Sequence, residues 1–214
     1  MTEGDYYAVR RIGHRGAMGH APENTPASFE KAIALGCDEV ETDVWLLSDG
    51  RLAVSHDRPS GDAALVLEEV LDLCRDRVGV NVELKSDRDE SRAAETGRRV
   101  AARIAERGDP DVYVSSFWWA ALAGARDAAP AVRRAFIFAD SPDRTALIAS
   151  AGALHLWALH PNRAYVTPEL VAAAHAAELR VNVWTVNEQD EIAAFAALGV
   201  DGIMSNWPER IPKG

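Results

Sequence analysis

Cysteine is scarce in this 214-residue chain. The two present, Cys37 and Cys74, lie in apolar helical contexts without metal-ligand spacing. A cysteine metal site is therefore excluded, and both read as buried free thiols. Basic charge is also short: 23 Lys and Arg stand against 33 Asp and Glu, a net charge of −10. Polyanion binding is driven by Lys and Arg on phosphates, so no nucleic-acid partner is expected. An anionic ligand would meet a repulsive average field and needs a locally positive site. No apolar run could span a bilayer, and no N-terminal segment has the make-up of a signal peptide. The expectation is no stable membrane insertion and a cytoplasmic location. Nucleotide loops are missing too. Gly13, Gly16 and Gly19 are spaced G-x-x-G-x-x-G, not G-x-G-x-x-G, and no Walker A or G-x-S-x-G sequence occurs. Without linkers, low-complexity stretches or near-identical repeats, residues 1–214 are expected to form a single catalytic domain.

What is present is a 48% hydrophobic chain in which short β-branched runs alternate with Ala-rich amphipathic stretches. The periodicity predicts strands at Val9–Ile12, Val40–Trp45, Val80–Leu84, Val112–Ser115, Ala135–Phe138, Leu154–Leu159, Val181–Thr185 and Gly202–Met204. Helices are predicted at Asn24–Leu35, Leu65–Cys74, Glu90–Arg107, Trp119–Asp127, Asp143–Ala149, Pro168–Ala177 and Glu188–Leu198. Gly36, Gly108, Gly152 and Gly199 stand where helices would stop. Unbroken alternation of eight strands with helices predicts an α/β fold, a TIM-type (β/α)8 barrel. Only Asn206–Gly214 follow the last strand, so the eighth helix is expected to be truncated or absent.

Barrel active sites gather at the C-terminal ends of the strands, and polar pairs stand there. Glu41 and Asp43 are two apart in a strand and share a face. Glu83 ends the next main strand. Three carboxylates with no cysteine ligand point to one divalent cation, Mg²⁺ or Ca²⁺, rather than zinc. The alternative is a set of ion pairs with Arg15 or Lys85. His14 and His56 end β segments, and an unperturbed imidazole pKa of about 6.5 lets each give or take a proton near neutrality. The alternative is a structural histidine, the better reading for His20, His155 and His175. His160 follows a strand end and could line the mouth. Arg15 offers a bidentate fork for phosphate and Lys85 a point charge. Asn81 shares a strand face with Glu83 and Lys85. Ser115 and Ser116 read as pocket wall. Phe117, Trp118, Trp119, Trp184 and Trp207 suggest an apolar wall beside the polar centre. The set is that needed for metal-assisted cleavage of a phosphodiester.

The order and spacing of these residues resemble the glycerophosphodiester phosphodiesterase family nearly end to end. The motifs are Ile12-Gly13-His14-Arg15-Gly16, Pro22-Glu23-Asn24-Thr25, Glu41-Thr42-Asp43, Asp49-Gly50, His56-Asp57 and Glu83-Leu84-Lys85. Ser115-Ser116-Phe117, Val183-Trp184-Thr185-Val186-Asn187 and Val200-Asp201-Gly202-Ile203 complete them. The resemblance implies a phosphoric diester hydrolase on a TIM-type barrel with one divalent cation. Glu41, Asp43 and Glu83 would be its ligands, His14 and His56 the acid/base pair, and Arg15 and Lys85 the phosphate clamp. Trp184 would line the pocket, and Glu23 and Asn24 would brace the first loop. It also implies attack by a neighbouring substrate hydroxyl, a cyclic phosphate, and sn-glycerol 3-phosphate as product. One departure stands out. The family's capping insertion after His-Asp is reduced here to Arg58–Ala64, which predicts a more open, shallower site. Lysophospholipase D-type cleavage of a larger lysophospholipid is therefore an alternative. A non-catalytic barrel binding phosphate esters is another, disfavoured because no core position is lost.

Overall fold

The computed structural model describes residues 9–59 and 65–213. Strand and helix alternate: β1 (Arg10–Gly13), α1 (Pro26–Ala34), β2 (Glu39–Leu46), β3 (Leu52–Val54), α2 (Leu67–Cys74), β4 (Gly79–Leu84), α3 (Glu90–Arg107) and β5 (Val112–Ser116). Then come α4 (Trp119–Ala128), β6 (Arg134–Phe138), α5 (Arg144–Ala153), β7 (Ala158–Pro161), α6 (Pro168–Ala176), β8 (Arg180–Val183), α7 (Gln189–Leu198) and β9 (Gly202–Ser205). Eight strands pair in parallel, and β1 closes the ring by pairing with both β2 and β9. The barrel and its alternation match the sequence expectation. Among the described residues no helix is long and apolar enough to cross a membrane.

The apolar core lies between strands and helices. One cluster gathers Phe29, Val40, Val82 and Val100 from the first half, and a second gathers Leu122, Leu159, Val181 and Ile203 from the rest. Where an eighth helix would sit there is only the 3-10 turn Pro208–Arg210. Fully buried Ile211 fills the gap. The buried Arg11 guanidinium fastens it, donating to Ile211 O and, at 2.6 Å, to Leu35 O at the end of α1. Those carbonyls would otherwise be orphaned. At the N-terminal end of the barrel, Arg10 pairs with Glu39 at 2.8 Å and the Tyr113 hydroxyl donates to Glu39 at 2.8 Å. Arg133 and Arg180 stand over the Trp157 ring at 4.7 and 4.9 Å.

Most elements match expectation to within a few residues, and two strands depart further. The strand expected at Leu154–Leu159 begins at Ala158, because α5 runs on to Ala153 and a turn follows. His155, expected in that strand, is exposed in the turn at φ 49°. β3 was not expected: three residues carry too little alternation to stand out.

Helices α3 and α4 meet at two glycines. A Cβ on Gly97 would lie 1.9 Å from Ala121 O, and one on Gly124 would lie 2.1 Å from Ala94 O. Alanine normally stabilises a helix interior relative to glycine. Here the sign reverses: Gly97→Ala is expected to destabilise by about 1–3 kcal/mol through overpacking. Thermal denaturation reads this as a Tm lowered by several degrees, and an unchanged Tm would contradict the close approach.

Candidate active site

β2 supplies the first carboxylates. Alternation sends Glu39, Glu41 and Asp43 into the barrel and Val40 and Val44 into the helix-facing core. The register sets Glu41 beside Asn81 and Asp43 beside Glu83 on β4. Asp43 and Glu83 are thus lateral neighbours, with Glu41 one layer deeper. Oxygens of the three lie within 4.8 Å of one another, the one such cluster among the described residues. Burial, then Asp43 and Glu83, push the Glu41 carboxyl well above the usual range. Burial and then Asp43 raise Glu83 to about 7 against the pull of Lys85. Glu41 Oε1 is buried without a hydrogen-bond partner. A hard divalent cation fits this all-oxygen set: it would take up the orphaned oxygen and relieve the repulsion that raises both glutamates.

The first loop is built around left-handed residues. Arg15 at φ 51° and Gly16 at φ 81° turn the chain sharply after β1. A Cβ on Gly16 would lie 2.4 Å from Ser28 Oγ, so only glycine fits. The turn lets the Arg15 N–H donate to Glu41 Oε2 at 2.9 Å and the Arg15 carbonyl accept from Asn24 N at 3.1 Å. The Arg15 guanidinium pairs with Glu23 at 2.6 Å and Asp43 at 3.3 Å. Asn24, also left-handed at φ 54°, donates from Nδ2 to Asp43 Oδ2 at 2.9 Å. Glu23 and Asn24 do brace this loop.

His14 extends β1, its N–H donating to Ser205 O at 3.0 Å. Its Nδ1 lies 2.7 Å from Asn206 Oδ1. An amide oxygen only accepts, so Nδ1 carries the proton and Nε2 keeps its lone pair. Burial, then Arg15, lower the His14 pKa to about 4, so the ring is neutral at pH 7. His56 arrives by another route. After β2 a tight turn at Asp49-Gly50, with Gly50 at φ 89°, folds β3 back antiparallel. Ser55 N then donates to Asp43 O at 3.1 Å, which delivers His56 to the mouth. Its Nδ1 stands 3.0 Å from Asp57 Oδ1. Lys85 Nζ donates to Glu83 Oε1 at 2.8 Å and lies 3.2 Å from Asp43 Oδ1. Burial alone would lower its pKa, but Glu83 and Asp43 outweigh that and raise it.

These residues share a pocket of about 140 Å³, with His14, Arg15, Glu41, His56, Glu83 and Lys85 along one side. The lining is completed by Asn81, Phe117, Ile137, His160, Trp184 and Met204. The Phe117 and Trp184 rings meet edge to face at 5.7 Å. Residues 60–64, in the shortened stretch after His56-Asp57, lie outside the described residues.

The rest of the expected aromatic wall is elsewhere. Trp119 stacks on Phe136 at 3.8 Å within the helix-facing core, and Trp118 packs against the other core cluster. Both lie on the α4 side of the strand end, where apolar burial wins. Trp207 meets His20 edge-on at 4.8 Å. Asn206 was missed, although it stands at the C-terminal end of β9, where barrel sites form. A larger cleft of about 390 Å³, lined by Cys37, Asp38, Cys74 and Asp109 among others, opens at the opposite end, away from this cluster.

Fold and pocket together put the chain in the class of (β/α)8-barrel hydrolases of phosphoric diesters. A family model, the Glycerophosphoryl diester phosphodiesterase family, matches residues 14–63 and 58–210. The chain belongs to this family. A Bacillus altitudinis glycerophosphodiester phosphodiesterase is 33% identical over 94% of this chain and 96% of its own length. That match runs over 242 positions, so several tens of them have no counterpart here. The two family segments meet at residues 58–63, where the chain is short. Among solved structures, a Silicibacter pomeroyi protein with the same family designation superposes with a TM-score of 0.84 at 30% identity, covering 97% of this chain and 93% of its own. An Oleispira antarctica phosphodiesterase, solved with the product sn-glycerol-3-phosphate, superposes at 0.83 with 25% identity, covering 96% of each chain.

Proposed function

We propose that this chain is a metal-dependent glycerophosphodiester phosphodiesterase releasing an alcohol and sn-glycerol 3-phosphate. One observation carries the reading: Glu41 and Glu83, clustered with buried Asp43, line a pocket of about 140 Å³ together with His14, His56 and the cations Arg15 and Lys85. Family membership and the product-bound Oleispira antarctica relative support it.

Glu41, Asp43 and Glu83 would hold one cation, Mg²⁺ or Ca²⁺. When bound, that ion supplies positive charge to oxygens that become negative during the reaction. Arg15 and Lys85 hold the non-bridging phosphate oxygens. Glu23 and Asp43 already fix the guanidinium, so its aim costs little at binding. His14 Nε2, with its lone pair free, takes the proton from the glycerol hydroxyl next to the phosphoester. That oxygen attacks phosphorus, and the bond to the leaving alcohol breaks. His56 at the mouth protonates the departing oxygen. The cyclic phosphate so formed is opened by water, with the histidines exchanging roles, to give sn-glycerol 3-phosphate. Phe117 and Trp184 pack against the carbon skeleton.

The test is a panel of glycerophosphocholine, glycerophosphoethanolamine, lysophosphatidylcholine and a chromogenic diester, each with Mg²⁺ or Ca²⁺. A pocket of about 140 Å³ favours the small glycerophosphodiesters, so these should release their alcohols fastest. No release from either small diester with any metal would defeat the proposal.

A further inference from the structure

His160 stands near the end of β7, across the barrel from β2, and is completely buried. Burial holds it neutral, lowering its pKa to about 3. Asn182 Nδ2 lies 3.1 Å from His160 Nε2. An amide nitrogen only donates, so Nε2 accepts and the ring proton sits on Nδ1. That Nδ1–H is buried with no partner. Leaving a buried donor unpaired is costly, so such a group in a pocket wall is poised for a ligand. A second observation points the same way. Asn81, also fully buried and lining the pocket, has neither amide atom paired. Both side chains are uncharged. They therefore suit a neutral oxygen that both donates and accepts, rather than a phosphate, which the Arg15 and Lys85 side serves.

We propose that His160 Nδ1–H and the Asn81 amide bind a hydroxyl of the substrate's glycerol arm and select for it. The inference rests on the function proposed above and assigns the glycerol end to the buried floor. The alcohol leaving group then lies toward exposed Phe117 and the mouth.

Two substitutions separate the ring nitrogens. In His160→Asn the side-chain amide occupies nearly the position of Nδ1 and keeps a donor there. In His160→Gln the amide reaches the position of Nε2, keeping the Asn182 contact and losing the donor. Calorimetry should be run with sn-glycerol 3-phosphate and with inorganic phosphate, on proteins whose folding is confirmed by thermal denaturation. His160→Gln should weaken sn-glycerol 3-phosphate by about tenfold, the usual effect of one orphaned hydrogen-bond partner, with inorganic phosphate unchanged. His160→Asn should retain most of the affinity. Equal loss for both ligands, or none for sn-glycerol 3-phosphate, would overturn the proposal while leaving the function intact. Failure of the wild-type protein both to bind sn-glycerol 3-phosphate and to cleave glycerophosphodiesters would overturn both. Asn81→Leu should reproduce the selective loss, which keeps the test decisive if a His160 variant does not fold.

Discussion

His14→Ala is expected to lower kcat by roughly 10²–10⁴-fold, the usual worth of a positioned acid or base, with a smaller change in KM. The ring's geometry gives the reason. Its Nδ1 proton is committed to Asn206, 2.7 Å away, so Nε2 is the nitrogen free to accept. Asn206→Ala leaves the imidazole in place but releases that constraint, and should lose activity to a lesser degree. His56→Ala should cost as much on glycerophosphocholine and far less on a glycerophosphodiester of p-nitrophenol. A good leaving group departs without a proton, so a missing acid is hardly felt, whereas a missing base is felt on both substrates. If the two alanine variants respond alike to the leaving group, the assignment of base to His14 and acid to His56 is wrong. Because burial depresses the His14 pKa to about 4, protonation of this base should limit activity only as pH falls towards 4, and not between about pH 5 and neutrality.

Removing the cation should have an effect at least as large. A metal contributes several kcal/mol to such a reaction, so chelation or Glu41→Gln should cost about 10³-fold or more. Mg²⁺ or Ca²⁺ should rescue the chelated wild type, and full activity in chelator would exclude the metal. The pH dependence follows from Glu83, raised to about 7. Its folded pKa exceeds the ordinary carboxylate value, so its contribution to stability is complete at low pH and is lost as pH rises through 7. The depressed His14 and His160 contribute with the opposite sign, gaining stability as pH rises from their low values towards 6.5. The bare protein's pH profile therefore mixes the two. The rise in Tm on adding cation isolates the carboxylates, because the ion competes with their protons and binds only the folded site. That rise should be larger above pH 7 than below it. A rise that does not change across pH 7 would mean the ion sits elsewhere.

Periodicity carried most of the barrel. Strands such as Val80–Leu84 and helices such as Glu90–Arg107 are long enough for alternation or amphipathicity to register, and Gly108 marks its stop with φ 67°. The carboxylates were legible for the same reason: two residues apart in a strand means one face. β3 was not, since its formation depends on a tertiary partner, the far end of β2. Neighbouring aromatics could not be sorted from sequence either. Phe117, Trp118 and Trp119 are consecutive, yet only Phe117 reaches the pocket, because the chain turns into α4 and commits the next two rings to the core. The partners of His14 and His160, Asn206 and Asn182, stand 192 and 22 residues away along the chain, and ring closure alone brings the first pair together.

The pocket's two walls come from different stretches of the chain. Each charged side chain lining it precedes residue 86, while Phe117, Ile137, Trp184 and Met204 all come later. The charged groups and the apolar wall are thus largely encoded in separate segments, with Asn206 reaching back to His14. Changes confined to the later apolar positions should retune which alcohol is accepted while leaving the His14–Asn206 contact and the carboxylates in place. A laboratory library aimed at new diesters should therefore be drawn from Phe117, Ile137, Trp184 and Met204, with Asn206 and the first 85 positions held constant.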